Sequence, residues 1–297
     1  MTRRTTPTDP HCAIASALDV VGDGWTLLIV RDTARGVRRF DALQRELGVS
    51  RKVLTERLKL LVEQGVLARE RYQDRPPRYE YLLTARGRAL LPVLIALQDW
   101  GDGWVLGDGT TSATAASGSQ EASRVQELVG TRVPSDLRLA GPGGPADPVS
   151  ARTPFTVVYC FPSGYARPES YPPGWARIPG AKGCTLESCT YRDRLAEFAA
   201  AGATVHGVST QRTDEQAEFA AKEGLRFPLL SDADLQFSAA LRLPTFRAGG
   251  TVRLKRLTLV VDAERVVRAA FYPITDIEQS VDAALAAVRT ATAAAAS

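Results

Sequence analysis

Apolar residues along the first hundred positions recur every three or four residues and then change to strict alternation. The helical spacing predicts a helix that ends near Gly22, a second apolar helical segment, a short helix closed by Gly48 and a helix capped by Ser50. Alternation from Leu67 onward, and again up to Leu83, predicts a two-stranded hairpin, and a last helix follows it. Helices followed by a hairpin in this order predict a winged helix-turn-helix.

A different pattern begins at Phe155, where short apolar runs alternate with helical segments up to a terminal helix near residue 288. Strands and helices in alternation, closed by paired strands and a helix, predict a three-layer α/β domain of the thioredoxin kind. The fold class predicted for the chain is therefore an α+β winged helix-turn-helix domain followed by an α/β thioredoxin-like domain. Small polar residues between them predict a flexible linker over residues 107–124, with domains at 10–106 and 125–290.

Positive charge is concentrated in the first part of the chain, since residues 1–105 carry 17 Lys and Arg against 13 Asp and Glu while the remainder is balanced. Such an excess suits a polyanion such as double-stranded DNA, although a solvated basic surface is the simpler explanation. The helix that starts after Ser50 presents polar residues opposite its apolar stripe, and the wing carries arginines. The DNA-binding candidates are Arg38, Arg39, Ser50, Arg51, Lys52, Thr55, Lys59, Arg71, Arg75 and Arg78.

Composition excludes several classes of protein. With 44% hydrophobic and 24% charged residues the chain is globular, and it has no apolar run of about 18 residues that predicts a membrane span. The first twelve residues lack the apolar core of a secretory signal, and four cysteines are too few for a disulfide scaffold, so we expect a cytoplasmic protein. His11 and His206 fit no metal-ligand spacing, and no glycine-rich phosphate loop is present, so neither metal nor cofactor is predicted.

One short segment concentrates chemistry in the second domain, from Gly183 through Cys184 to Cys189. A cysteine that follows a glycine turn and opens a helix is placed where backbone N–H groups and the helix dipole stabilise a thiolate. An isolated cysteine is more often a small buried apolar residue, which is the interpretation we give to Cys160 inside a core strand. We expect Cys184 to be the most reactive thiol of the chain.

The sequence also resembles known families in two places. CAIASALDVVGDGWTLLIVRD, RRFDALQRELGVSRKVLTERLKLLVEQGVL and PPRYEYLLTARGRALLPVL are similar to the HxlR-type regulators over about residues 10–104. That resemblance implies a homodimeric winged-helix transcription factor. It also implies a redox-sensing role for Cys12, since some members carry a sensor cysteine just before the first helix.

The second resemblance covers about residues 130–290, where IPGAKGCTLESCTYRDRLAEFAAAGATVHGVSTQ, FPLLSDADLQFSAALRLPTF and RLTLVVD are similar to AhpC/TSA peroxiredoxins, nearest the bacterioferritin-comigratory branch. It implies that Cys184 is the peroxidatic cysteine, Cys189 the resolving one and Arg256 the residue that supports the thiolate. The family motif Pro-x-x-x-Thr-x-x-Cys is altered here. Arg177 and Ala181 occupy its first two positions, and about a dozen extra residues, 163–175, precede them. Pro162 and Thr185 are the candidates to replace the missing groups.

The leading hypothesis is a redox-responsive transcriptional regulator that binds DNA as a dimer and reacts with peroxide through its second domain. A rival hypothesis makes the chain primarily a thiol-dependent peroxidase whose DNA-binding domain is accessory or vestigial. A third makes Cys12 the only sensor. The expected partners are double-stranded DNA, a peroxide or other oxidant, a thioredoxin-like thiol reductant and a second copy of the chain, with no membrane.

Overall fold

The computed structural model describes residues 12–295, and its contacts divide the chain into two compact units after Leu94. The first unit contains four helices, α1 (Ala13–Val21), α2 (Gly24–Ala34), α3 (Phe40–Leu47) and α4 (Arg51–Glu63), then β1 (Leu67–Gln73), β2 (Arg78–Leu83) and the one-turn helix α5 (Ala85–Arg88). Helix α6 (Leu91–Trp100) carries the chain into the second unit. The predicted winged helix-turn-helix is confirmed.

The core of the first unit forms where the apolar stripes of α2, α3 and α4 meet, around Ile29, Leu43 and Leu54, all fully buried. The turn between α3 and α4 is short because Gly48 ends α3 in the left-handed region at φ 62° and the Ser50 side chain accepts the Val53 N–H at 3.3 Å. Strands β1 and β2 pair antiparallel with Leu67 opposite Leu83, which forms the wing.

The second unit surrounds a seven-stranded mixed sheet. Its strands are β3 (Leu139–Gly141), β4 (Gly144–Ala146), β5 (Phe155–Cys160), β6 (Ala203–Ser209), β7 (Leu229–Ser231), β10 (Leu257–Asp262) and β11 (Val267–Phe271). Their order is β11-β10-β5-β6-β7-β3-β4, with β5, β6 and β7 parallel and the remaining pairs antiparallel. A separate hairpin, β8 (Thr245–Ala248) with β9 (Thr251–Leu254), was not predicted from the sequence.

Helices cover both faces of this sheet, as alternation within β5 requires. Val157 and Tyr159 face α8 (Cys184–Asp193), α9 (Leu195–Ala200), α10 (Thr213–Glu223) and α12 (Ile277–Ala295). Val158 and Cys160 face α7 (Gln120–Gln126) and α11 (Gln236–Leu241). The arrangement is the thioredoxin-like fold that the sequence predicts.

The segment 107–124 differs from the flexible linker that its composition predicts. Ala113 is fully buried, and its N–H donates to the Pro179 carbonyl at 2.8 Å. Helix α7 starts inside this segment, and Arg124 forms a bidentate ion pair with Asp102. Small residues of this segment pack beneath larger neighbours, and composition alone does not predict such packing.

No single helix within residues 12–295 is long and apolar enough to cross a membrane, although the bent pair α1 and α2 together reach that length and composition.

Candidate functional site

The Cys184 thiol lies at the first residue of α8, directly after Gly183. Gly183 has φ +104°, and a Cβ at this position would lie 2.5 Å from the Ile277 side chain, so only glycine fits the turn. The thiol is 3% exposed, and its Sγ donates to the Ala181 carbonyl at 3.6 Å. The sulfur is thus buried at the start of α8, the end at which the helix dipole stabilises negative charge.

A buried cation stands beside this sulfur. Arg256 immediately precedes β10, and its Nη2 lies 3.4 Å from Cys184 Sγ and donates to the Lys182 carbonyl at 3.0 Å. Its Nη1 donates to Glu187, one helical turn after Cys184. Burial raises the pKa of Glu187 to about 7, while the neighbouring guanidinium opposes that rise. The guanidinium thus bridges a thiol and a carboxylate in a site from which water is largely excluded.

The other two cysteines of this unit have different surroundings. Cys189 is half-buried five residues further along α8; its Sγ donates to Glu223 Oε2 at 3.6 Å, and burial raises its pKa. Cys160 is fully buried in β5, where desolvation raises the pKa of its thiol well above the usual value. All four cysteines of the chain are free thiols.

The inserted segment, residues 163–175, contains a chain of aromatic rings in contact with one another. Tyr165 packs edge-on against Tyr171 with ring centroids 4.9 Å apart, and Tyr171 contacts Trp175 at 5.6 Å. Ala181 is fully buried in the same apolar cluster. Pro162 is buried as well, whereas Thr185 is exposed.

The candidate DNA-reading residues lie on one exposed side of α4. Arg51, Lys52, Thr55 and Lys59 are all exposed, while Leu54 faces the core. The Arg51 guanidinium also lies over the Phe40 ring, 4.9 Å from its centroid, and this contact holds the side chain close to α3. The helix start is capped by Ser50, so the first turn that carries Arg51 and Lys52 is well defined.

The candidate phosphate contacts lie around the wing. Arg71, Arg75 and Arg78 are exposed, and Arg71 Nη2 donates to the Asp74 carbonyl at 2.8 Å within the hairpin turn. Arg39 is exposed and stacks on the Tyr72 ring at 4.2 Å, while Arg38 is half-buried and accepts the Tyr81 N–H through its carbonyl. Arg38 is thus the least accessible of the predicted phosphate contacts.

Cys12 is the N-cap of α1, where its sulfur accepts the Ala15 N–H at 3.4 Å and is half-buried. Cys12 belongs to the first unit, whereas Cys184 belongs to the second.

Within residues 12–295 no three histidine, cysteine or acidic side chains cluster as metal ligands. His206 is buried, its Nδ1 lies 2.9 Å from the Pro148 carbonyl, and desolvation lowers its pKa. His11 lies outside the described residues.

One residue of the site, Glu187, was not identified from the sequence. It carries a usable signal, since a residue three positions after a helix-opening cysteine shares its face.

Comparison with known proteins covers the two units separately. Residues 20–108 match the HxlR-like helix-turn-helix family and residues 178–270 match the AhpC/TSA family. An uncharacterized HTH-type transcriptional regulator of Mycobacterium tuberculosis is 47% identical over 90 residues, which are 30% of this chain and 57% of that protein's length. A Synechocystis protein of the same description is 42% identical over 95 residues, covering 32% of this chain and 70% of its own.

Among solved structures, the peroxidoxin BcpB of Mycobacterium tuberculosis is 28% identical with a TM-score of 0.45, covering 55% of this chain and 96% of its own. Xanthomonas campestris peroxiredoxin Q is 27% identical with a TM-score of 0.45, covering 56% of this chain and 99% of its own.

Proposed function

Since this chain belongs to the HxlR-like helix-turn-helix family and continues into an AhpC/TSA domain, we propose that it is a redox-responsive transcriptional regulator. The winged helix binds DNA, and the fused domain reacts with peroxide at Cys184. The observation that carries the second half of this proposal is the contact between the buried Arg256 guanidinium and the Cys184 sulfur at 3.4 Å. A cation at this distance favours the thiolate, which is the form that attacks a peroxide.

Cys189 is the proposed resolving thiol. Attack of the Cys184 thiolate on a peroxide gives a sulfenic acid and an alcohol or water, and attack of Cys189 on that sulfenic acid forms the disulfide and releases water. Five residues of intact helix correspond to about 7.5 Å of rise, whereas a disulfide requires Cα atoms within roughly 7 Å and Cβ atoms that face each other. The first turns of α8 must therefore unwind for the disulfide to form.

On the DNA side, α4 is the proposed recognition helix, with Arg51 and Lys52 at base edges and the wing arginines at phosphates. A homodimer places two such helices on half-sites about 34 Å apart, or a multiple of that distance. Two exposed apolar helix faces are proposed to take part in dimer contacts: that of α1, where Ile14 is 72% exposed, and that of α6, with Leu97 and Trp100.

The decisive experiment uses a DNA fragment selected from a random-sequence library by the reduced full-length protein. We expect one equivalent of hydrogen peroxide to change the affinity of the wild type for this fragment and to leave the affinity of Cys184→Ser unchanged. Peptide mapping should find an intrachain link between Cys184 and Cys189. A covalent dimer through Cys12 with Cys189 still free would instead make Cys12 the sensor.

The rival assignment, a thiol peroxidase with an accessory DNA-binding domain, gives a different result. The reduced protein would then react with peroxide and be regenerated by a thioredoxin-like reductant, while its DNA affinity stays the same in both redox states. As a test of the recognition helix, the double variant Arg51→Glu, Lys52→Glu should lose about 2–6 kcal/mol of specific binding, at about 1–3 kcal/mol per base contact. Arg75→Glu should mainly reduce the salt dependence of binding. Unchanged binding by the double variant would remove α4 from that role.

A further inference from the structure

A cavity of about 810 Å³ lies in the second unit, and Cys184 is not among the residues that line it. Its volume falls within the roughly 300–1,000 Å³ of small-molecule sites. The walls are the end of α6 with the π-helical turn that continues it (Gly101–Val105), the segment 106–121, strand β8 and Lys255. Turns of π-helix are rare, and they occur frequently at functional sites.

The lining of this cavity is acidic, although the chain as a whole carries a net charge of +4. Four carboxylates and two cationic side chains line it: Asp99, Asp102, Asp108 and Glu121, with Arg247 and Lys255. Two of these carboxylates have cationic partners, since Arg124 forms a bidentate pair with Asp102, and Lys255 Nζ lies 2.8 Å from Glu121 Oε2. The charge that remains favours a cationic ligand over an anionic one.

Asp99 is the carboxylate of this lining whose hydrogen bonds are incomplete. Its Oδ1 accepts the Thr245 hydroxyl, whereas its Oδ2 is buried and has no hydrogen-bond partner among residues 12–295. Within the same residues no cationic side chain forms an ion pair with Asp99. Burial raises the pKa of Asp99, as expected for a carboxylate whose charge is only partly compensated. A buried charged oxygen without a partner is costly, so a ligand that donates to it gains affinity.

The cavity also offers a second unpartnered polar atom and aromatic surface. Asp99 is half-buried, and because the carboxylate torsion of aspartate is broad, a small rotation turns Oδ2 towards the cavity that this residue lines. Thr114 lines the cavity as well, and its buried Oγ1 has no hydrogen-bond partner among the residues described. Apolar surface comes from Phe246 and from Trp104, whose indole is 68% exposed and lies against Gly109. Indole rings also attract cations.

We propose that this cavity binds a small organic cation, a protonated primary amine that carries a flat apolar group. An ammonium has three N–H donors and no acceptor, so it satisfies both Asp99 Oδ2 and Thr114 Oγ1. The apolar group of the ligand then lies against Trp104 and Phe246. This inference goes beyond the proposed function and does not depend on it, because binding is measured without DNA or peroxide.

The test compares three probes that share a phenyl ring and differ in charge. Phenethylammonium is the cation, phenethyl alcohol the neutral analogue and hydrocinnamate the anion. Saturation-transfer NMR titrations of the reduced full-length protein near neutral pH measure the three affinities. We expect phenethylammonium to bind with a Kd of about 1 mM or below, as suits a ligand of its size. The other two should bind at least about tenfold more weakly, because neither forms the charged hydrogen bond to Asp99.

A pair of variants then locates the site. Asp99→Asn keeps the shape of the side chain and an acceptor for the Thr245 hydroxyl, and it should weaken phenethylammonium binding about tenfold or more. Asp108→Asn is the matched control, since it removes the same charge from an exposed residue of the lining that already accepts the Thr110 hydroxyl at 2.6 Å. Its effect should be far smaller, because solvent screens an exposed charge.

Two results would overturn the proposal. Equal affinity of the wild type for the three probes, or no binding of any of them, would remove the cation site, and this comparison needs no variant to fold. Equal effects of the two substitutions on phenethylammonium binding would remove Asp99 as the residue that receives the ammonium. Thermal unfolding of both variants checks that each is folded at the temperature of the titration.

Discussion

Two helices of this chain have a cysteine at their start, Cys12 as the N-cap of α1 and Cys184 as the first residue of α8, and the two differ in what surrounds the sulfur. In the first unit Cys12 caps α1, is half-buried and accepts the Ala15 N–H at 3.4 Å. In the second unit Cys184 opens α8, is 3% exposed and lies 3.4 Å from the Arg256 guanidinium. Among residues 12–295 no cationic side chain hydrogen-bonds to the Cys12 sulfur in this way.

This difference separates two contributions to the stability of a thiolate, that of the helix start and that of a neighbouring cation. The dipole and free N–H groups of a first turn are present at both cysteines, and their effect at exposed positions is modest. A buried cation acts without solvent screening, so its effect on a thiolate is larger. We therefore expect peroxide reactivity to follow Arg256 and not the helix start.

The largest expected effect comes from replacing each sulfur in turn. Cys184→Ser should reduce peroxide consumption to the background rate, because the attacking thiolate is gone. Cys12→Ser should consume peroxide at the wild-type rate. Stopped-flow measurement of hydrogen peroxide loss on both full-length variants gives the comparison, and the reverse order of the two effects would place the reactive thiol in the first unit.

Much of this fold follows from local patterns in the sequence. The cap at Ser50, the left-handed Gly48 and the alternation around the wing determine the first unit through contacts between near neighbours. The β8–β9 hairpin and the packing of Ala113 beneath other residues escaped prediction. Both depend on contacts between distant parts of the chain, which composition does not encode.

The candidate site divides in the same way. The location of Cys184 after a glycine turn is a local property, and the proximity of Arg256 followed from resemblance to a family. The role of Glu187 could not be predicted in this way, because it depends on the contact of α8 with Arg256, the residue before β10. Burial and contacts across the domain determine that role, and these emerge only from the folded arrangement.

The second largest effect concerns the buried pair of Arg256 and Glu187. Arg256→Met should destabilise the second unit by about 3–5 kcal/mol, because it leaves a buried carboxylate without its partner. The double variant with Glu187→Gln should recover most of this loss. Urea unfolding of the full-length proteins, followed by a probe in the second unit, measures both values.

The pH dependence of Arg256→Met provides a control on its cause. The folded-state pKa of Glu187, about 7 with Arg256 present, lies above its ordinary value of 4.5, and loss of the cation raises it further. A carboxyl group of this kind binds protons more tightly in the folded state, so stability falls as the pH rises from about 4.5 to beyond 7. The variant should thus be least destabilised near pH 5. A destabilisation that is constant with pH would contradict the unpaired-charge explanation.

A smaller effect is expected for Glu187→Gln alone. Removing the carboxylate leaves the positive charge of Arg256 to interact with the Cys184 sulfur alone. The rate of Cys184 alkylation should therefore rise about two- to tenfold, which corresponds to at most ~1.4 kcal/mol of activation free energy. In the wild type Glu187 is protonated below its pKa of about 7, so the two proteins should converge near pH 6 and diverge towards pH 8. Iodoacetamide labelling followed by mass spectrometry measures the ratio. If the ratio of the two alkylation rates does not vary with pH, the charge of Glu187 does not affect the reactivity of the Cys184 thiol.

The smallest expected effect concerns Cys12, whose sulfur caps the start of α1. Cys12→Ala removes the acceptor for the Ala15 N–H and should cost about 0.5–1 kcal/mol of stability in the first unit, towards the low end for loss of an N-cap. Cys12→Ser supplies a better acceptor and should retain or slightly increase stability. Thermal unfolding of the full-length variants, followed in the first unit under reducing conditions, distinguishes them. If the serine and alanine variants are destabilised equally, the Cys12 sulfur stabilises α1 through packing and not as a hydrogen-bond acceptor. Cys12 and Cys184 would then differ in this respect as well.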